Sequence, residues 1–259
     1  VRARTAGVTG PLDPFLFPAR RAFLQGLSGV IVHSRWAERE VTRDLPELPV
    51  SKVGLSVEDP GAVDRMPLRQ RLNISPHELL VMHLGFLTPQ KGLHDLLGAV
   101  AAVRRRQVPA RLLIVGEGEH SESVGSLVRD LGIEDWVGFT GFVSPEEFLP
   151  LPAAADLGVV LRSPSAGETS AAALRFLACG TPVAVSALHQ FLDLPEAAAP
   201  RVTPGPSAVA DLARILSQAH LDPAGWIVRR SAARKVYLSE HTPEMAAGQL
   251  VSALARMAR

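Results

Sequence analysis

Ser165-Ala-Gly-Glu-Thr-Ser-Ala-Ala-Ala-Leu-Arg-Phe-Leu-Ala-Cys-Gly-Thr-Pro-Val183 reads as a loop, a helix, a glycine stop and a buried strand. The apolar run Asp156–Leu161 just before it reads as a further strand. A helix between two such strands is a βαβ crossover. This helix should begin near Glu168, past the carboxyl end of the first strand, where open α/β sheets bind their ligands. The first amides of the helix, around Glu168, Thr169 and Ser170, lack intrahelical partners and would face an anion placed there. Ala171, Ala172, Ala173, Leu174, Phe176, Leu177 and Ala178 make the helix apolar nearly all round, which predicts burial. Arg175 is its one charge. Seven residues are almost two turns, so Glu168 and Arg175 share a face, roughly 10 Å apart at about 1.5 Å per residue. Arg175 either reaches solvent or a carboxylate, or faces the ligand cleft.

Outward from this unit the alternation continues. Leu79–Leu84, Arg111–Val115 and Trp136–Thr140 read as strands, with helices between them. Ala62–Leu72 reads as a helix. Ser75-Pro-His-Glu78 and Ser144-Pro-Glu-Glu147 have the form of capping boxes with proline at the first helical position, the second opening a helix to about Ala154. A short helix is expected around Asp193–Ala198 and a strand near Arg201, and then three helices at about 207–220, 223–240 and 243–258, with Asp222-Pro223 and Thr242-Pro243 as cap-plus-proline starts for the last two. Before all this, Gly29–His33 reads as a strand, with Ser34 as N-cap of a helix over Arg35–Arg43. Residues 1–13 read as loose, and Phe15–Leu27 has apolar residues at helical spacing. Glu58-Asp-Pro-Gly61 is turn chemistry. The expected organisation is therefore residues 1–52, a hinge at 53–61, an α/β domain at 62–240 and a closing helix at 241–259. Strands alternating with helices predict a doubly wound parallel sheet.

Composition narrows the function. The 259 residues carry 27 Lys+Arg against 26 Asp+Glu, a net charge of +1 that gives no reason to expect nucleic acid as a partner. The single cysteine, Cys179, lies in the buried helix and reads as a small hydrophobe, in keeping with a reducing, cytoplasmic setting. No apolar run approaches a membrane span. The chain starts at Val1 rather than methionine, which suggests a piece of a longer protein.

Four loops follow strands and should open on one sheet edge: Gly85–Gly92, Gly116–Gly118, Gly141–Val143 and Ser165–Thr169. Together they make a cleft of glycine backbone, one lysine (Lys91) and one glutamate (Glu168). Glycines permit close approach, and a lysine beside a helix start suits a phosphate. A nucleotide or phosphorylated ligand is the reading. Neither Gly-x-Gly-x-x-Gly after a first strand nor Gly-x-x-x-x-Gly-Lys-Ser/Thr occurs, against NAD and a P-loop. The eight histidines have no metal-type spacing. His83 reads as a satisfied core histidine, and His189 stands at the cleft edge.

Gly-Phe-Leu-Thr-Pro-Gln-Lys-Gly (85–92), Leu-Leu-Ile-Val-Gly-Glu-Gly (112–118), Val-Gly-Phe-Thr-Gly-Phe-Val-Ser-Pro-Glu-Glu-Phe (137–148), Ala-Ala-Ala-Asp-Leu-Gly-Val-Val-Leu-Arg (153–162) and Leu-Ala-Cys-Gly-Thr-Pro-Val (177–183) occur in this order. They resemble the donor half of retaining GT-B glycosyltransferases of the family-four type, over about residues 28–200. Gly-Glu-Thr-Ser at 167–170 resembles a bacterial subgroup. The resemblance implies a Rossmann-like donor domain plus the end of an acceptor domain. It also implies a nucleotide-diphosphate sugar donor, retention of configuration, and no metal or cofactor. Lys91 would neutralise the pyrophosphate, and amides at Thr169, Ser170 and Ala171 would hold the distal phosphate. Gly85 and Phe86 would border the donor, Gly116 and Gly118 leave room for the nucleotide, and Phe142 and Val143 flank the base. Glu168 would orient the sugar hydroxyls. Phe86 stands where the family often has arginine, and Arg175 where it has a second glutamate, which suggests that Arg175 supplies phosphate charge. Ala187 and His189 replace an aspartate and a glycine common after the strand. The acceptor is unknown, and peripheral contact with a membrane is left open, with Arg20-Arg21 beside Phe15, Phe17 and Phe23 as a hint. Such a piece is expected to bind donor without completing transfer. The alternatives are a non-catalytic nucleotide-sugar-binding subunit or sensor, or another enzyme on the same fold such as an epimerase or phosphorylase.

Overall fold

A computed structural model describes residues 23, 24 and 26–258. Residues 1–13, most of the Phe15–Leu27 segment and the Arg20-Arg21 pair lie outside the described residues. The first unit is small. Strand β1 (Val30–Val32) pairs in parallel with β2 (Val50–Lys52), and α1 (Arg35–Asp44) connects them. Ser34 caps α1 as expected, its Oγ accepting from Ala37 N at 3.1 Å.

The larger unit is a six-stranded parallel sheet: β3 (Leu79–Leu84), β4 (Ala110–Val115), β5 (Val137–Gly141), β6 (Leu157–Val160), β7 (Val183–Ser186) and β8 (Arg201–Val202). Their spatial order is β5-β4-β3-β6-β7-β8. The chain winds outward from β3 in one direction, then returns to its other side and winds outward again. Helices α3 (Leu93–Arg105), α4 (Ser121–Asp130) and α7 (Ala208–Leu221) cover one face. Helices α2 (Arg65–Arg71), α6 (Ala171–Ala178) and α8 (Pro223–Glu240) serve the other, with the short α5 (Pro145–Phe148) beside them. Strand β3 shows why both faces must be covered. Leu79 and Val81 enter one core and Leu80, Met82 and Leu84 the other, as a two-residue period requires. The last helix, α9 (Pro243–Met257), runs back to the first unit, where Gln249 Oε1 accepts from Gly54 N at 2.7 Å.

At the amino end of the sheet Asp156 ties α2 to β6. It accepts from Arg65 Nη2 at 2.5 Å, Arg69 Nη1 at 2.9 Å and Leu80 N at 2.8 Å. Arg69 is buried and also donates to the carbonyls of Ala154, Ser75 and Glu78. Helix α6 is seated on β6 by a different device. A Cβ at Gly158 would lie 2.5 Å from the Phe176 ring, so the missing side chain makes the space that Phe176 fills.

Several expectations need correction. Ser75–Glu78 makes the hydrogen bond of a capping box, Ser75 N to Glu78 Oε2 at 2.7 Å, but closes a tight turn into β3 rather than opening a helix. The helix expected over Ala62–Leu72 begins at Arg65, capped by Asp64. The helix expected up to Ala154 stops at Phe148, and a 3-10 turn (Leu151–Ala154) follows. The helix placed near Asp193–Ala198 is a 3-10 turn over His189–Asp193.

Candidate functional site

The sheet changes winding direction between β3 and β6. Crevices of this kind, outside the carboxyl ends of strands on either side of the reversal, are where doubly wound sheets hold ligands. Here the two walls are the loop after β3, Gly85–Gly92, and the loop after β6, Leu161–Ser170. They are fastened together. Ser163 N donates to Gln90 O at 3.0 Å. Gly92 sits at φ 62, where a Cβ would come within 2.8 Å of Leu161.

That fastening gathers charge. Lys91 closes a 3-10 turn (Pro89–Lys91), its Nζ 3.7 Å from the point a Cβ on Gly85 would occupy. Arg162 leaves the end of β6, its amide donating to Ser186 Oγ at 2.8 Å. Its Nε lies 3.3 Å from Glu168 Oε1, an ion pair without hydrogen-bond geometry, since Nε has no hydrogen-bond partner. Burial first, and then the nearby Arg162, pull the Lys91 pKa below the ordinary lysine value, while Glu168 pulls it back. Two cations thus face one carboxylate, and an incoming anion would relieve their repulsion.

The structure starts α6 later than expected. Ser170, not Glu168, is the N-cap, its Oγ accepting from Ala173 N at 3.4 Å. Glu168 and Thr169 lie in the loop before it, and Ala171 opens the helix. Long-range contacts fix this loop. Gln190 Nε2 donates to Glu168 O at 2.6 Å, and Thr169 Oγ1 to His33 O at 3.2 Å. Gly167 sits at φ 87 with Trp36 so close that a Cβ would fall 1.9 Å from its ring. The Glu168 carboxylate also accepts from Ala166 N at 3.1 Å. The first amides of α6 have no partner in the helix and carry the positive end of its dipole.

The glycines of the neighbouring loops answer first to packing. A Cβ at Gly116 would lie 2.4 Å from Gly85 O, and one at Gly118 would lie 2.8 Å from Leu87 O. They let two strand-end loops touch, which is a nearer reason for their lack of side chain than space for a ligand. Phe86 and Phe142 are 75% and 79% exposed, while Val143 packs against the core.

Arg175 does not join the cations. Its guanidinium lies over the Phe148 ring at 5.1 Å, and among the described residues it has no ion pair. His189, placed at the cleft edge by its sequence position, packs against Trp36, the rings tilted by 45° with centroids 4.7 Å apart. His83 is buried on β3, as expected of a core histidine, but only half satisfied. Nδ1 is 3.3 Å from Val159 O and Nε2 has no partner. Burial first, and then Lys91, bring its pKa down to about 4, with Arg162 adding to the fall. Arg162 is the residue that sequence reasoning left without a role. Its place directly after a fully apolar strand at the winding reversal was the available clue.

A doubly wound sheet with a cationic crevice at its reversal defines a nucleotide-binding type of α/β domain. The chain belongs to the glycosyl transferases group 1 family, whose model matches residues 64–234. It is 38% identical over 99 residues to a GDP-mannose-dependent phosphatidylinositol monomannoside mannosyltransferase of Mycobacterium tuberculosis, covering 38% of this chain and 25% of that protein. It is 29% identical over 192 residues to the 2-deoxystreptamine glucosyltransferase of Streptomyces kanamyceticus, covering 73% of this chain and 48% of that one. The alignments span less than half the length of these relatives. Among solved structures, the Anabaena HepE complex with UDP superposes with a TM-score of 0.79 at 21% identity, covering 95% of this chain and 70% of that chain. Sucrose-phosphate synthase from Thermosynechococcus elongatus gives 0.80 at 24%, covering 98% and 65%. The fold is therefore the Rossmann-like, parallel-sheet GT-B type. No described helix is long and apolar enough to cross a membrane.

Proposed function

We propose that the chain is the donor-binding portion of a retaining glycosyltransferase that takes its sugar from a nucleotide-diphosphate sugar. The observation that carries this is the meeting of Lys91, Arg162, Glu168 and the start of α6 at the winding reversal. When a glycosyl–phosphate bond breaks, negative charge grows on the departing diphosphate. Lys91, Arg162 and the amides of Thr169, Ser170 and Ala171 would meet that charge with fixed positive ends that need no rearrangement. Glu168, held from both its carboxylate and its carbonyl, would orient the hydroxyls of the sugar. Gly85, Gly116 and Gly118 would form the nucleotide floor, with Phe86, Phe142 and Val143 beside the base. Arg162 replaces Arg175 as the second cation of the set. The 53–61 segment would act as the hinge between the two units, and no resident metal or cofactor is assigned. Family membership favours a transferase over a non-catalytic sensor.

Thermal unfolding of the chain with UDP, GDP and other nucleoside diphosphates tests the donor part. A ligand at about 100 times its Kd should add ~2.7 kcal/mol of stability. No response to any nucleotide overturns the reading. Product stereochemistry, read by NMR on the whole enzyme, tests retention.

A further inference from the structure

Helix α8 turns Trp226, Ala233 and Tyr237 inward, so its opposite side is the one that meets solvent. A helix lying on a domain surface should be polar on that side. Here Ile227 and Val228 are each 66% exposed and Leu238 is 49% exposed. Residues 228, 231, 235 and 238 follow one another at helical spacing, so the apolar side chains lie at the two ends of a single outward stripe with Ser231 and Lys235 between them.

Cations flank that stripe. Arg229, Arg230, Arg234 and Lys235 stand in a helix that has no carboxylate between Asp222 and Glu240. Both framing acids are engaged. Asp222 is the cap, accepting from Gly225 N at 2.9 Å, and Glu240 pairs with Lys52. Asp59 pairs with Arg234 at 2.8 Å. Arg230 donates to Ala155 O at 2.9 Å but has no ion pair among the described residues, and neither has the exposed Lys235. Burial first, and then Arg65, bring the Arg230 pKa down to about 10, with Arg69 adding to the fall and Asp156 opposing it. Positive charge is therefore in local excess, in a chain whose net charge is only +1. A groove of about 670 Å³ runs from Arg230, Ser231, Arg234 and Lys235 to Cys179 and Gly180 at the end of α6.

We propose that this face of α8 docks on a bilayer surface that carries anionic phospholipid. Arg230 and Lys235 meet the headgroup phosphates, while Ile227, Val228 and Leu238 enter the boundary between headgroups and acyl chains. Nucleic acid would match the charge but leave three apolar side chains in water. A neutral apolar partner would bury the cations without an anion. An anionic bilayer surface answers both. Helix α8 covers one face of the sheet, whereas the donor crevice opens at the strand ends, so both can be occupied together. The inference goes beyond the donor reading and stands without it.

The test is co-sedimentation of the 259-residue chain with vesicles of phosphatidylcholine, alone or mixed with phosphatidylglycerol. Binding is expected to the mixed vesicles only, and it falls as salt rises. Lys235→Glu weakens it by about tenfold or more, since each unit of charge near such a surface is worth about fivefold. Arg106→Glu makes the same charge change at an exposed residue ending α3, on the other face of the sheet, and should cost less than about threefold. Ile227→Ser combined with Val228→Ser weakens binding by about tenfold. These side chains are exposed, so the variants keep the fold, which thermal unfolding checks. No binding to either vesicle, equal binding to both, an Arg106→Glu loss as large as that of Lys235→Glu, or no loss in the doubly serine-substituted chain overturns the inference. Binding to single-stranded DNA with none to vesicles assigns the cations to nucleic acid and overturns it as well.

Discussion

Arg162 Nε stands 3.3 Å from Glu168 Oε1, across the crevice mouth from Lys91. Both residues belong to the wall formed by the loop after β6, so their meeting fixes how the charges of that wall are placed against Lys91. A carboxylate that holds a cation without hydrogen-bonding its Nε leaves that cation free to turn to a stronger anion.

Arg162→Ala and Lys91→Ala should each weaken nucleoside diphosphate binding by about 10- to 100-fold. Charged hydrogen bonds are worth ~1.5–3 kcal/mol, and ~1.4 kcal/mol is tenfold. Arg175→Ala should change the same affinity by less than about twofold, because its guanidinium is engaged over Phe148. Isothermal titration calorimetry with UDP and GDP reads all three. An Arg175 effect as large as that of Arg162 would restore it to the phosphate set.

Gly116→Ala should cost more stability than Gly61→Ala. Both glycines have positive φ, 124 and 70. Only Gly116 has a backbone atom, Gly85 O, 2.4 Å from its absent Cβ, while Gly61 faces open space. Strain of the backbone alone costs about 1 kcal/mol for Gly61→Ala, and the clash should bring Gly116→Ala to ~3 kcal/mol. Urea midpoints compare them directly.

Stability should fall on acidification through His83. Its pKa is 6.5 in a free chain and about 4 in the fold. Between those values the unfolded chain binds the proton and the native one does not, so stability is complete above pH 6.5 and drains away toward pH 4. The fall is worth ~3 kcal/mol. His83→Leu should flatten that part of the curve, measured by denaturant unfolding at several pH values. His241, also lowered by burial, adds a slope of the same sign that this variant leaves in place.

Arg69→Met should destabilise by about 3–5 kcal/mol, because it strips a buried partner from Asp156 and takes from Glu78 O its donor, while Ala154 O keeps Arg65 and Ser75 O keeps Glu78 N. The loss lies at the amino end of the sheet, far from the crevice. Nucleotide affinity should therefore hold where the protein remains folded, which separates the two ends in one experiment.

The parallel sheet was legible because its central strands are buried on both faces and read as mostly apolar runs, such as Leu79–Leu84, broken by His83, and Val183–Val185. Local chemistry was legible too. Ser34, Ser144, Asp222 and Thr242 all cap the helices expected of them. What failed was decided by partners distant in the chain. Glu168 falls outside α6 because Gln190, His33 and Trp36 hold the loop open. Arg162 gains its role only once Lys91 and Glu168 are beside it. Gly116 and Gly118 make room for a neighbouring loop, which no spacing rule reveals. The Ser75 motif forms its hydrogen bond, yet β3 takes over the chain at once.

The contact of Trp36 with Gly167 joins α1 of the first unit to the loop that carries Glu168. A swing that parted the units would unseat that loop before it disturbed any strand. On the proposed donor role of Glu168, its readiness for a sugar would then depend on this latch, and a form with the two units parted would hold a nucleotide without engaging the sugar.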